Sequence, residues 1–231
     1  MTAFVDTSSS TMGEHGKMKT GSLQEIEQGQ ITDVSKERVP YKIVHGWDLK
    51  SSLECDTLWK QGWLTLFRQI QQAEPDETKQ NKMLASISTE DIHWKWFEKA
   101  VNYSTDEYDW FHLYADGKPQ AACLIYHPEP SALEPGDIFY VKFVAVAPWN
   151  RHCDLRPREF RGLGEIILRA AQRFAVKVLK LRPGFCLHSL PKAEGFYAKL
   201  KMVKVDGKAD AQSLTYFELP QALATKLMEV N

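Results

Sequence analysis

The sequence predicts an α+β fold in which one mixed, mostly antiparallel sheet is flanked by helices. Residues 110–126 contain two strand-like runs of β-branched, aromatic and aliphatic residues on either side of a turn. From residue 162 onwards, apolar residues recur at the spacing of an amphipathic helix. Strands that come first, followed by alternating strands and helices, are typical of a single sheet with helices packed on it.

Length and composition favour one domain with extra segments. The chain has 231 residues, of which 43% are hydrophobic, so it can bury one sizeable core. We expect this domain to span residues 39–231. Residues 1–38 contain too few large apolar side chains to offset the entropy lost on ordering, which predicts a mobile arm. A short docked helix within residues 22–31 is the alternative.

The charge balance and the cysteines limit the classes of function. A formal net charge of -1 gives no overall field that would draw the chain to nucleic acid or to an anionic membrane. No apolar run approaches the roughly 18 residues that span a bilayer. The four cysteines lie far apart without a CxxC pair, and the chain shows no signal-peptide pattern. We therefore expect a cytoplasmic protein that has neither a membrane segment nor a metal site.

The first part of the predicted domain is helical. Large apolar residues recur at spacings of three and four between Leu58 and Ile70 and should face a core. A second helix is predicted to begin at Ser88 or Thr89, because acidic residues follow in its first turn and apolar residues come behind them. The tryptophans of this region are suited to the core, to a substrate cleft or to a homodimer interface.

The remaining elements follow from hydrophobic patterning and turn residues. Asp116 and Gly117 favour a hairpin turn, and Pro148 ends a long strand because proline cannot donate to a ladder. The predicted elements are a hairpin at residues 110–115 and 120–126, a strand at 138–147, a helix from 162, a strand at 185–189, a short helix at 191–200, strands at 202–205 and 214–219, and a helix at 222–230.

The loop between the long strand and the helix carries the clearest chemical signal. Gly162 and Gly164 lack a Cβ, so the backbone at the helix start can approach a diphosphate closely. Unpaired N–H groups and the positive end of the helix dipole converge there. Four arginines crowd this loop, at positions 151, 156, 158 and 161. The pattern predicts an anion site, with tight helix–sheet packing as the alternative explanation of the glycines.

A series of motifs runs through the second half of the chain. In order, it consists of Val-x-Val-Ala-Pro at residues 144–148, a basic loop, Arg-Gly-Leu-Gly at 161–164, an amphipathic helix, a strand, and Phe-Tyr-x-Lys-Leu at 196–200. This series resembles the acetyl-CoA core of the GCN5-related N-acetyltransferase superfamily. The resemblance covers about residues 109–219. The superfamily's phosphate loop reads Gln/Arg-x-x-Gly-x-Gly/Ala, and this chain departs from it with Glu159 at the first position and with a longer loop.

The resemblance implies an enzyme that binds acetyl-CoA and transfers its acetyl group directly to an amine in a ternary complex. Backbone groups of Val144, Ala145 and Val146 would bind the pantetheine as an added strand, and an N–H there would stabilise the oxyanion. The other expected cofactor-binding residues are Arg151, Arg158, Glu159, Phe160, Arg161, Gly162, Leu163, Gly164 and Tyr197. The sequence does not identify the amine-bearing acceptor.

Three side chains are candidates for proton transfer. An amine with a solution pKa of about 10 must lose a proton before it attacks, and the candidate bases are Asp137 and His188, directly or through water. Tyr197 is the expected general acid for the departing thiolate. Each also has a structural alternative: Asp137 could be a turn residue, His188 a hydrogen-bonded histidine beside the core, and Tyr197 a core tyrosine. A cysteine nucleophile paired with His188 is disfavoured, since no cysteine lies on a nucleophile turn.

Two other functions are compatible with the residues. One is a non-catalytic acetyl-CoA-binding module that acts through a protein partner, with the N-terminal arm as the partner-binding segment. The other is a nucleic-acid patch on the arginine-rich loop. The acidic Asp154 and Glu159 within that loop, and its lack of interleaved aromatic residues, argue against nucleic acid.

Overall fold

A computed structural model describes residues 22–210 and 212–229 of the chain. The strands are β1 (Gln24–Thr32), β2 (Arg38–His45), β3 (Tyr108–Ala115), β4 (Lys118–Pro130), β5 (Asp137–Val146), β6 (Phe185–Ser189), β7 (Val203–Lys204) and β8 (Thr215–Leu219). The helices are α1 (Leu49–Ala73), α2 (Glu77–Ser86), α3 (Trp96–Asn102), α4 (Leu163–Lys177), α5 (Glu194–Lys199) and α6 (Gln221–Glu229). In the described residues the strands form one sheet, in the order β1-β2-β3-β4-β5-β6-β8-β7.

The sheet is mixed and mostly antiparallel, which confirms the predicted fold class. Neighbouring strands run antiparallel except β5 and β6, which run parallel. Helices α4, α5 and α6 pack on one face, here called the α4 face, and α1 and α3 pack on the other, here called the α1 face. No helix of the described ranges is both long enough and apolar enough to cross a bilayer.

β1 lies in the segment where the sequence predicts an arm. It pairs with β2 along its whole length, apart from one irregularity in register. Within it, Glu27 accepts a hydrogen bond from Tyr41 at 3.0 Å and forms an ion pair with Arg173 at 3.0 Å. A backbone ladder and polar contacts, which composition does not reveal, thus hold residues 24–32 in the sheet, and the predicted arm and docked helix are both wrong there. Residues 1–21 of the predicted arm lie outside the described residues.

The helix predicted from residue 88 or 89 begins later. The backbone N–H of Trp96 donates to the Asp56 carboxylate of α1 at 2.7 Å, and α3 starts at that point. Asp91, which the sequence places in the first turn, instead forms an ion pair with Arg151 at 2.6 Å. α2 has no buried residue and hence no apolar stripe, which explains why the sequence does not predict it.

The other predicted elements are confirmed, with shifts of a few residues at their ends. The β3–β4 hairpin turns at Asp116 and Gly117, which both have positive φ. The short helix predicted at residues 191–200 consists of a 3-10 turn, Pro191–Ala193, followed by α5. Of the tryptophans that the sequence offers to several roles, Trp59, Trp63 and Trp96 are buried core residues, whereas Trp94 is half-buried.

β5 and β6 pair only near the start of their parallel run. The paired residues are Phe139 with Phe185 and Tyr140 with Cys186, and the described ladder ends there. On its other edge β5 stays paired with β4 as far as Val146, with one extra residue, Lys142, at a shift in register. The C-terminal halves of β5 and β6 therefore diverge, and the space between them is here called the β5–β6 cleft.

Candidate active site

The loop between β5 and α4 is anchored on both sides of an exposed tip. Phe160 and Leu163 are 4% and 2% exposed, whereas residues 161 and 162 between them are exposed. The backbone N–H of Phe160 donates to Asn150 Oδ1 at 3.0 Å, and Asn150 Nδ2 donates to the buried Gln120 at 2.7 Å. These contacts, which the sequence does not predict, fix the tip. Phe160 and Leu163 can contribute only backbone groups to a ligand.

The two glycines of this loop have different roles. Gly162 is the N-cap of α4, with a left-handed φ of +78°, and a Cβ placed on it would meet no atom within 4 Å. A Cβ on Gly164 would lie 3.2 Å from the Phe196 ring, so this glycine permits close packing. The first four N–H groups of a helix have no helical acceptor. Above Gly162 there is open space beside free N–H groups at the positive end of a 15-residue helix, an arrangement that suits an anion.

Two arginines add positive charge beside this site. Arg158 and Arg161 are exposed, and in the described part of the chain neither has a hydrogen-bond or ion-pair partner. Arg156 instead donates to the carbonyl of Trp149 at 2.9 Å and supports the loop. The three arginines line an open hollow of ≈ 530 Å³ together with His152. Free guanidinium groups at a helix N-terminus suit the oxygens of a diphosphate.

Arg151 has a structural role, contrary to the expectation that it binds the cofactor. Its Nε and one terminal nitrogen donate to the Val146 carbonyl at 3.1 and 2.9 Å, and the other terminal nitrogen donates to the Ser88 carbonyl at 2.8 Å. Both terminal nitrogens also donate to the Asp91 carboxylate at 2.6 Å. These contacts use all five guanidinium donors, so none is left for a phosphate. Arg151 ties the segment before α3 to the end of β5.

Glu159 occupies the position of Gln or Arg in the superfamily's loop. Its carboxylate lies 3.0 Å from the Lys118 ammonium, which is also 4.8 Å from the centroid of the Trp149 ring. Lys118 of β4 thus offsets the negative charge that Glu159 adds to this loop. The Glu159 side chain points to the β3–β4 hairpin rather than acting as a phosphate ligand.

One edge of β5 is open to the β5–β6 cleft. The Ala147 N–H donates to the Gln120 carbonyl of β4 at 2.9 Å. Backbone groups alternate in direction along a strand. The N–H and C=O of Ala145 therefore also face β4, while the N–H and C=O of Val144 and Val146 point towards the cleft. The Val146 carbonyl already accepts from a guanidinium. The N–H and C=O of Val144 and the N–H of Val146 are therefore the groups that an added strand can use, and Ala145 is not among them.

Tyr197 of α5 packs on the α4 face, with its ring 6.0 Å from that of Phe217, centroid to centroid. It is 6% exposed, and its hydroxyl has no hydrogen-bond partner among the described residues. Burial is the largest cause that raises the pKa of Tyr197, and the nearby groups of Cys123, Asp91 and Tyr140 raise it further. These three residues come from β4, from the segment before α3 and from β5. The phenol therefore stays protonated at physiological pH.

His188, at the end of β6, is held by two hydrogen bonds. Its Nε2 lies 2.7 Å from the Lys208 carbonyl oxygen and its Nδ1 lies 2.9 Å from the Tyr140 hydroxyl. Because a carbonyl only accepts, Nε2 carries the proton of the neutral ring and Nδ1 accepts the Tyr140 O–H. Nothing in the sequence pattern marks Tyr140 as functional, except that it places a hydroxyl group on an otherwise largely apolar strand.

Asp137 lies at the opposite end of β5 from Val144 and Val146. It is exposed at the start of β5, opposite Pro130, and its carbonyl accepts the Arg182 N–H at 3.0 Å. The extended strand from residue 137 to residue 144 spans about 23 Å at ~3.3 Å per residue. Asp137, which the sequence suggests as a candidate base, is the first residue of β5 and lies at the end of the β5–β6 pair where the two strands are hydrogen-bonded.

A cysteine nucleophile is disfavoured by burial. All four cysteines are free and buried. Burial is the largest cause that raises the pKa of the Cys55 and Cys123 thiols, and it raises the pKa of Cys186 to about 12. A thiol with such a pKa is not a thiolate at neutral pH. Among the described residues, no group of three or more His, Cys, Asp or Glu side chains is arranged to hold a metal ion.

Comparison with known proteins finds likeness in structure but not in sequence. No family model matches the chain, and no curated protein matches it. An uncharacterised protein from Bacillus halodurans is 10% identical, with a TM-score of 0.51 over 89% of this chain and 96% of that one. FdhC, described as a nucleotide-linked sugar GNAT, is 10% identical, with a TM-score of 0.45 over 80% and 89% of the two chains.

A third similar structure is the N-acetyltransferase PseH of Campylobacter jejuni in complex with acetyl coenzyme A. It is 14% identical, with a TM-score of 0.38 over 54% of this chain and 79% of that one. Identities this low concern the fold and not the activity. The strand order, the parallel β5–β6 pair that diverges and the glycine-capped α4 thus agree with the resemblance found in the sequence, and the chain has a fold of the GCN5-related N-acetyltransferase type.

Proposed function

We propose that this protein is an N-acetyltransferase that binds acetyl-CoA in the β5–β6 cleft and passes the acetyl group to an amine. The observation that carries the proposal is the start of α4. There an exposed, left-handed Gly162 leaves open space above free N–H groups at the mouth of the cleft. A helix that is merely packed against a sheet does not require this open cradle.

The residues present fit an acyl-CoA. The N–H groups of residues 163–165, with the side chains of Arg158 and Arg161, would hold the diphosphate. The pantetheine would then run along the open edge of β5 and pair with Val144 and Val146, as an added strand does. This direction takes the thioester from the mouth of the cleft towards the point where β5 and β6 meet.

The transfer follows from positioning and hydrogen bonding. The amine nitrogen attacks the thioester carbonyl carbon, a C–N bond forms and the C–S bond breaks. The N–H of Val144, which lies nearer than Val146 to the point where β5 and β6 meet, is a candidate donor to the developing oxyanion. Tyr197 would donate to the departing thiolate, since its raised pKa keeps a proton available on the phenol. Burial would raise the pKa of the thiolate too, which makes proton transfer from the phenol less unfavourable than in water.

Two measurements test the proposal and separate it from a binding module. Calorimetry should detect acetyl-CoA binding to the purified protein, and a thiol-release assay over a panel of diverse amines should detect transfer. Binding with no thiol release for any amine would favour the non-catalytic module. Absence of binding would refute the cradle and, with it, the proposed activity.

A further inference from the structure

We propose that Tyr140 and His188 form a proton relay that removes the proton from the acceptor ammonium. This inference rests on the proposed function and assigns the general base of the same site. It replaces direct action of His188 with action through a tyrosine, because both nitrogens of the imidazole are already hydrogen-bonded.

The position of Tyr140 supports this role. It is the last residue of β5 that pairs with β6, so it lies where the two strands begin to diverge. The side chain is half-buried. Tyr140 is also among the groups that raise the pKa of Tyr197. Tyr197 belongs to the α4 face, whereas Tyr140 packs with Ile138, Cys186 and Tyr216 in a separate cluster. The two hydroxyls therefore approach the reacting atoms from opposite sides.

The hydrogen bonds give the relay a direction. The Lys208 carbonyl fixes the proton on His188 Nε2, which leaves the Nδ1 lone pair to accept the Tyr140 O–H at 2.9 Å. The Tyr140 oxygen then has lone pairs for an N–H donor from outside. The Tyr216 ring lies 5.2 Å from the imidazole, centroid to centroid, in an edge-on orientation and fixes the plane of His188.

The charged and titratable neighbours of the relay come from four elements. They are Glu129 of β4, Cys186 of β6, Tyr216 of β8 and, from the β7–β8 loop, Lys208 and Asp210. Burial is the largest cause that raises the pKa of Tyr140, the bond to His188 lowers it, and Cys186, Asp210 and Glu129 raise it. Two carboxylates thus face the relay, and they favour a cationic acceptor.

The proton balance of the step is closed. The acceptor ammonium gives a proton to the Tyr140 oxygen while the Tyr140 proton moves to His188 Nδ1, which forms an imidazolium with both N–H groups hydrogen-bonded. The freed nitrogen lone pair attacks the thioester carbonyl. The departing thiolate takes a proton from Tyr197, which regains one from the acylated nitrogen. The imidazolium then releases the first proton to solvent.

Two probe amines of different basicity test the relay. Nα-acetyl-lysine amide has a pKa of about 10.4 and glycinamide has a pKa of about 8. At pH 8 the lysine probe is therefore almost wholly protonated and needs a base, whereas about half of the glycinamide is already the free amine. Tyr140→Phe and His188→Gln should each lower kcat for the lysine probe by about 100-fold, with a much smaller loss for glycinamide. Activity of the variants with the lysine probe should recover as the pH rises, while acetyl-CoA affinity stays constant.

Tyr126→Phe is the matched control, because Tyr126 is half-buried and lies opposite Tyr140 in the sheet. It should leave kcat for both probes unchanged. Equal losses for the two probes, or an equal loss in the control, would overturn the relay while leaving the transferase proposal in place. Thermal unfolding of each variant shows whether it is folded.

Nitrogen NMR of the His188 ring gives a readout that does not need an acceptor. The wild-type protein should show the Nε2–H tautomer, and the Nδ1 resonance should shift in Tyr140→Phe. If the wild-type protein turns over neither probe, the proposed function loses support, and the tautomer alone decides the relay. A ring protonated on Nδ1 in its neutral form would overturn it.

Discussion

Replacing Gly162 with valine is expected to abolish CoA binding and to leave the protein folded. A Cβ at this position meets no atom within 4 Å, so the new side chain clashes with nothing in the structure. The strain comes from the backbone, because φ is +78°. A non-glycine residue held in such a region costs roughly 1–3 kcal/mol, against a typical stability of about 5–15 kcal/mol. The variant should therefore fold with a lowered melting temperature.

The effect on binding should be larger than the effect on stability. The valine methyl groups would occupy the space above the N–H groups of residues 163–165, where we place the diphosphate. A hydrogen bond to a charged group contributes about 1.5–3 kcal/mol. Loss of two such bonds weakens binding by about 3–6 kcal/mol, which is a hundredfold or more in Kd.

Calorimetric titration with coenzyme A measures this loss, and Gly117→Val is the matched control. Gly117 has a φ of +69°, and a Cβ there also meets no atom within 4 Å, but it lies in the β3–β4 turn. The control should lose similar stability and bind CoA normally. Unchanged affinity in Gly162→Val would refute the cradle. An equal loss of affinity in both variants would show that backbone strain, and not occlusion, is responsible.

Three further outcomes are expected. Tyr197→Phe should lower kcat more than it weakens acetyl-CoA binding, because the hydroxyl acts in the transition state; equal rates at saturating substrate would remove Tyr197 from the mechanism. Arg151→Ala should destabilise the fold by about 3–5 kcal/mol, since it leaves the buried Asp91 unpaired; urea unfolding measures this, and an unchanged midpoint would contradict the structural role. His112 is fully buried, which lowers its pKa from 6.5 to about 4. It is neutral in the folded protein and protonated in the unfolded chain below pH 6.5. Stability should therefore fall between pH 6.5 and 4 by about 3 kcal/mol, and His112→Phe should reduce that slope in urea titrations.

The sequence alone determines the elements whose signals are local. The β3–β4 hairpin needs a turn at Asp116 and Gly117, and α4 needs an apolar stripe at helical spacing. Gly162 before that stripe marks the helix start because only glycine adopts a positive φ there at little cost. Each of these signals lies within a few residues of the structure that it specifies. This is why the fold class could be predicted without a structure, and why the sequence could point to the start of α4 as a candidate anion site.

Tertiary contacts decided the rest. β1 became a strand because β2 offers it a partner, although its own composition favours an arm. Asp91 pairs with Arg151 instead of opening the predicted helix, so that arginine has no guanidinium donor left for a cofactor. His188 met Tyr140 only because β5 and β6 run side by side, 48 residues apart in the chain. Partners distant in sequence carry no local pattern, so only the folded chain shows which polar groups are already paired and which remain for a substrate.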